Sequence, residues 1–364
     1  MAIKVGFSTS VCPEWDIHDI ATKANELGFY GVELGTVRDE IHLPDAEDLQ
    51  QDKDTDAVRK LFDDASVEIV SIASKYSLEA KQKNVQKRSF DRTLQNIALA
   101  EKLGCPFVRV PIGKRVGREL ADATLARQIP PLTELARIAA RHGVTLLACN
   151  TPDFPSSRDV WFVVDGVSHP GMRAAWDPVL GLAVKDHNSL AIPRLGARIK
   201  MVMANDAAFD PNTAAFEGYR SIGEGNVDYA YATDLLKGVL FDGYYMLDWP
   251  KAHVEALPSA DDALPAALQR LLERIKHVEP ELTAYKKDKY AAKFSADAAY
   301  IERKVATVDA AGESAEGESS ESGGTATAVA DDKPRVAKGA DPKIAALVAE
   351  AVKKVRAARA AKGG

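Results

Sequence analysis

The feature that most constrains this chain is a repeated alternation: a short β-rich segment, then a longer helical pattern, eight times within residues 1–280. The expected strands are Ile3–Phe7, Tyr30–Leu34, Val67–Ala73, Phe107–Val110, Val144–Ala148, Met172–Trp176, Ala197–Met203 and Tyr244–Leu247. Helical periodicity fills the gaps: Ile17–Leu27 before Gly28, a loop and helix ending near Ala65, Phe90–Leu103 before Gly104, Ala121–Arg141, Ser157–Gly166, Ser189–Leu195, Tyr229–Lys237 and Asp262–His277. Pro130 and Pro131 are expected to kink or divide the helix over Ala121–Arg141. Eight βα units in one barrel's worth of chain imply an α/β fold in which parallel strands close into a (β/α)8 TIM barrel. An open dinucleotide-binding sheet would place a glycine-rich turn after the first strand, and the segment Phe7-Ser8-Thr9-Ser10-Val11-Cys12 has no glycine.

Several stretches resemble the xylose-isomerase-like barrels, which include sugar-phosphate isomerases, epimerases and endonuclease IV relatives. They are Gly31-Val32-Glu33-Leu34-Gly35, Leu99 to Gly104 leading into Val108-Arg109-Val110, Gly143 to Leu147, Ile222 to Tyr229, and Phe241 to Tyr245, in order along residues 1–280. The resemblance implies sugar isomerase or epimerase chemistry. In the family's metal-dependent members a divalent cation is held from strands five to eight, by glutamate, aspartate, histidine and glutamate. The matching positions here are Cys149, Asp177, Met203 and Asp248, so that only Asp177 keeps the family residue. A hard cation wants oxygen ligands, so no cofactor is expected, with a rearranged divalent site as the weaker option. His169 and His187 are the histidines placed to approach the barrel mouth.

Barrel chemistry sits at the C-terminal ends of strands. There the sequence places Glu33, Lys75, Arg109, Cys149, Asn150, Asp206, Glu224 and Trp249 as ligand-binding candidates, and Asp177 with Asp248 as an acid/base pair. Carboxylates accept hydroxyl protons and cations neutralise an anion or oxyanion, which suits a small polyhydroxylated or anionic metabolite such as a sugar, sugar phosphate or polyol. A thiolate nucleophile at Cys149 would need a cationic partner that the sequence does not identify. The alternative is a barrel that binds a ligand or protein without turnover.

Net charge of −6 gives no general reason to bind nucleic acid or an acidic membrane, and the barrel has no basic surface suited to a nuclease. Three cysteines, widely spaced, fit neither a disulfide framework nor a cysteine zinc cluster. With Pro13, Glu14 and Asp16 interrupting the start before any apolar run, the expected location is the cytoplasm. After the barrel, residues 281–308 are expected to be a helical extension, 309–340 a disordered Gly/Ser/Ala/Glu linker, and 341–361 a basic amphipathic helix able to dock a protein partner.

Overall fold

In a computed structural model, residues 4–210, 213, 215–249 and 258–276 are described. The expected extension, linker and basic helix over 281–361 lie outside them. Eight strands close a fully parallel barrel in the order β1-β10-β7-β6-β5-β4-β3-β2. They are β1 (Lys4–Ser8), β2 (Gly31–Leu34), β3 (Glu68–Ala73), β4 (Phe107–Pro111), β5 (Thr145–Cys149), β6 (Met172–Trp176), β7 (Ile199–Ala204) and β10 (Tyr244–Leu247). Because both faces of each strand are covered, the strands read as continuous apolar runs.

The helices are α1 (Ile17–Leu27), α2 (Asp52–Asp64), α3 (Lys83–Leu103), α4 (Ala121–Arg141), α5 (Ser157–Val167), α6 (Pro178–Leu182), α7 (Asn188–Leu195), α8 (Tyr229–Gly238) and α9 (Ala260–Lys276). Their ends follow local chemistry. The Asp16 carboxylate accepts from the Asp19 N–H to start α1, and Gly28 takes the left-handed conformation that ends it. The expected division of α4 does not occur: the helix runs through Pro130 and Pro131. Leu125, Leu132, Leu135, Ala136 and Ala139 bury one side of it, and that packing outweighs the lost N–H donors. Among the described residues no helix is long and apolar enough to cross a membrane.

Inside the barrel, Val70, Leu147, Cys149, Ala175, Met201, Met203, Tyr244 and Met246 form a buried cluster separate from the larger core under the helices. At the N-terminal end, the Tyr244 hydroxyl donates to Glu68 at 2.7 Å and the Lys4 ammonium lies 4.6 Å from the Tyr30 ring centroid. The cluster and these contacts fill the interior, so the barrel is a packed core.

Gly6 and Gly31 make this filling fit. A Cβ at Gly6 would lie 2.3 Å from the Gly31 carbonyl oxygen and 3.1 Å from Met246 Sδ. The backbone of a closed barrel cannot yield locally, so Gly6→Ala should cost about 3 kcal/mol of stability, read from urea denaturation. An unchanged midpoint would show that the strands can part to admit a methyl group.

Candidate active site at the C-terminal mouth

The C-terminal ends of the strands surround a cavity of about 770 Å³. At its floor lies an ion-pair network built from three strands. Glu33 of β2 is fully buried, and Arg109 of β4 grips it with a two-pronged contact: Nε to Oε2 at 2.9 Å and Nη2 to Oε1 at 2.6 Å. The same Nη2 donates to Asp248 Oδ2, just beyond β10, at 3.1 Å. Burial alone would lift the Glu33 carboxyl, but the adjoining guanidinium holds it below the usual range. Asp248 goes the other way, since burial and the Glu33 charge raise it against the pull of Arg109 and Lys75. Arg109 stays charged throughout, because the two carboxylates outweigh its desolvation.

Asp177 follows β6 and is held from two sides. Its Oδ1 accepts the Val179 and Leu180 N–H groups at 2.9 and 3.3 Å, and its Oδ2 accepts from Asn205 Nδ2 at 3.1 Å. Burial nevertheless pushes its carboxyl up to about 6, opposed by these bonds and aided by the Asp248 charge. Lys75 follows β3, open to the cavity, and its Nζ donates to Ser10 Oγ at 3.0 Å. Enclosure by the protein and the Arg109 charge lower its ammonium below the ordinary value.

The remaining sequence candidates divide. Asn150 lines the cavity, but its amide is committed to the backbone: Nδ2 donates to the Pro155 and Asp177 carbonyls and Oδ1 accepts the Asp177 N–H. It braces Asp177. Cys149 is buried and its thiol is pushed up to about 12 by desolvation, so no thiolate is available there. Trp249 lines the cavity wall.

Two candidates are not brought into the mouth. The fully buried Asp206 carboxylate accepts the N–H groups of Ala207, Gly223, Gly225 and Val227 at 2.7–3.1 Å, which pins the loop before α8. Glu224 sits on the surface and pairs with Arg270 of α9 at 2.6 Å. The two histidines stay out as well: His169 Nδ1 accepts the Gly171 N–H ahead of β6, and His187 precedes α7.

Several cavity residues are absent from the sequence reading, among them Glu14, Asp39 and Tyr219. Between β7 and α8 an antiparallel hairpin, β8 (Asp206–Phe209) with β9 (Phe216–Arg220), carries Tyr219 onto the cavity wall. Burial, then the charges of Asp177 and Asp248, push its phenol up to about 12, so it remains a hydrogen-bond donor. The aromatics Phe216 and Tyr219 flanking Gly218 were the available β signal, but at a spacing of three they do not follow the strand period.

The profile of the xylose isomerase-like TIM barrel matches residues 21–275. The chain belongs to that family. Solved structures with the same fold include the IOLI protein with a bound zinc atom (TM-score 0.65, 14% identity, covering 76% of this chain and 99% of that one). A D-tagatose 3-epimerase-like protein aligns at TM-score 0.60 and 19% identity, over 76% of this chain and 99% of its own. The 3-keto-D-glucoside 4-epimerase of E. coli aligns at TM-score 0.56 and 12% identity, over 74% and 100%. A comparison with curated protein sequences gives no match.

The donor set does not fit the family's metal. Asp248 is engaged by Arg109, both Asp177 oxygens accept hydrogen bonds, Cys149 holds its proton, and buried Met203 offers a thioether. Among the described residues no three His, Cys, Asp or Glu side chains group so as to hold an ion.

Proposed function

We propose that the mouth binds a small, neutral, polyhydroxylated carbonyl compound and moves a proton beside its carbonyl, as an isomerase or epimerase whose own side chains replace the family's metal. The observation that carries this reading is the Asp177 carboxyl: it faces the cavity and is held by burial at about 6, where it exchanges protons near neutrality. As a carboxylate it takes the α-proton. Asp248, raised but tied to Arg109, supplies the second proton-transfer group, and Lys75 meets the oxyanion that develops on the carbonyl oxygen.

Charge favours a neutral ligand over a phosphorylated one. Among the described residues two cations line the cavity, Lys75 and Arg109, against four carboxyls, Glu14, Asp39, Asp177 and Asp248. Arg109 is already matched by Glu33 and Asp248. Arg115, on the neighbouring loop, turns to Asp153 and provides no phosphate clamp. The names of two structural relatives, a D-psicose 3-epimerase and the D-tagatose 3-epimerase-like protein, agree with a ketose.

The test is solvent-deuterium incorporation into D-fructose, D-psicose and D-tagatose, read by proton NMR, with protein stripped by EDTA and shown metal-free by elemental analysis. Exchange beside the carbonyl is expected without added metal, rising with pH through about 6 as Asp177 ionises. Exchange seen only after manganese, cobalt or zinc is restored would overturn the metal-free reading. Saturable binding without exchange would instead make this a non-catalytic barrel.

A further inference from the structure

We propose that the Lys75 amine is a nucleophile that condenses with the ligand's carbonyl to form a protonated imine, so that a lysine supplies the electron sink. The inference rests on the proton-transfer reading above and deepens it by assigning how the developing charge is carried.

Three observations converge on Lys75. The first is place: it follows β3 at the C-terminal mouth, lines the same cavity as Asp177 and Asp248, and is open to it. The second is its partner. Nζ bonds a neutral hydroxyl, Ser10 Oγ, at 3.0 Å, and among the described residues it makes no ion pair with a carboxylate. That hydroxyl has its space because position 35 is glycine: a Cβ there would lie 2.2 Å from Ser10 Oγ. The third is the neighbouring cation. Arg109 is locked by Glu33 and Asp248, remains charged, and disfavours a second positive charge beside it, although the charges of Asp248 and Glu33 partly offset this. An adjacent cation, with a hydroxyl rather than a carboxylate as hydrogen-bond partner, favours the neutral, nucleophilic form of a lysine amine.

The step balances within the chain and ligand. The neutral amine attacks the carbonyl carbon, forming the C–N bond as the oxygen takes up a proton to give a carbinolamine. Loss of that oxygen as water leaves a protonated C=N bond, so that ammonium plus carbonyl becomes iminium plus water with no change in oxidation state. Ser10 lies where a hydroxyl can pass the proton. Asp177 then removes the α-proton, the electron pair flows into the iminium to give an enamine, and reprotonation followed by hydrolysis returns the ligand and the amine.

Reductive trapping tests this on the full chain. The protein is pulsed with D-fructose, dihydroxyacetone or formaldehyde and sodium cyanoborohydride, digested, and each lysine read by mass spectrometry. A lowered pKa raises the share of neutral amine at a fixed pH, so Lys75 should be labelled faster than the other lysines. With D-fructose its peptide should gain the mass of the ketose less one oxygen. The excess should vanish in Lys75→Arg and in urea-denatured wild type, where unfolding itself removes the site. Labelling of Lys75 no faster than that of surface lysines with all three probes would overturn the proposal. Deuterium incorporation without trapping leaves the proton-transfer reading and removes the imine; trapping without incorporation does the reverse.

Discussion

Replacing Arg109 by methionine is expected to remove about 3–5 kcal/mol of folding stability, because it strands a carboxylate inside the barrel. Glu33 is fully buried, and Arg109 donates both its close hydrogen bonds. Nothing in water competes for Glu33, so truncating its partner exposes the full desolvation cost of the charge. Changing both residues to methionine should recover much of the loss, since a buried ion pair is worth little against well-packed apolar side chains. Arg109→Lys should fall between, as an ammonium cannot reproduce the two-pronged contact.

The pH dependence carries a definite sign. With Arg109 present, the Glu33 carboxyl is held below its ordinary value. It therefore contributes stability that is present above the unfolded value and lost as pH falls through the folded one. In Arg109→Met burial is opposed only by the Lys75 charge and the Ser8 hydrogen bond, the carboxyl is raised, and the deficit should widen from pH 5 to pH 8 in urea denaturation. A deficit independent of pH would mean that Glu33 is not the charge Arg109 supports.

Asp177→Asn should lower deuterium exchange about 10²–10⁴-fold, the range for removing a positioned general base, while the fold persists. The amide keeps Oδ1 as an acceptor for Val179 and Leu180. Its new donor meets Asn205, whose Oδ1 is buried without a partner, so a flip of the Asn205 amide restores the contact. The variant should also gain stability at high pH. A carboxyl raised from 3.8 to about 6 contributes stability below the unfolded value and loses it as pH rises through about 6. At about 1.4 kcal/mol per pKa unit the gain in the amide variant has a ceiling of about 3 kcal/mol, reduced because Asp177 is partly open to cavity water. Lost exchange together with this pH-dependent gain marks a chemical role. Unchanged exchange would move the base elsewhere.

The barrel was legible because parallel strands covered on both faces announce themselves as apolar runs between helical ones. The carboxyls were legible for a similar reason: Asp177 and Asp248 continue the alternation set by Ala175 and by Met246, interior residues two positions earlier. That rule also explains a misplacement. Met203 and Asn205 both line the cavity, so the next residue, Asp206, turns the opposite way into its nest of N–H groups. Glu224 lies in a loop, where no period fixes direction, and its partner Arg270 is remote in sequence. Tyr219 escaped because a short hairpin inserted after a barrel strand breaks the βα rhythm. Which ion pairs close across the mouth depends on the joining of strands far apart in the chain, and local pattern does not encode it.

A proton held on Asp177 near neutrality is the central requirement of this site, and carboxyl carbon-13 NMR measures it directly. A difference titration of wild type against Asp177→Asn should reveal one aspartate resonance with a midpoint of about 6. A midpoint at the ordinary aspartate value of about 4 would contradict it and remove Asp177 as the base.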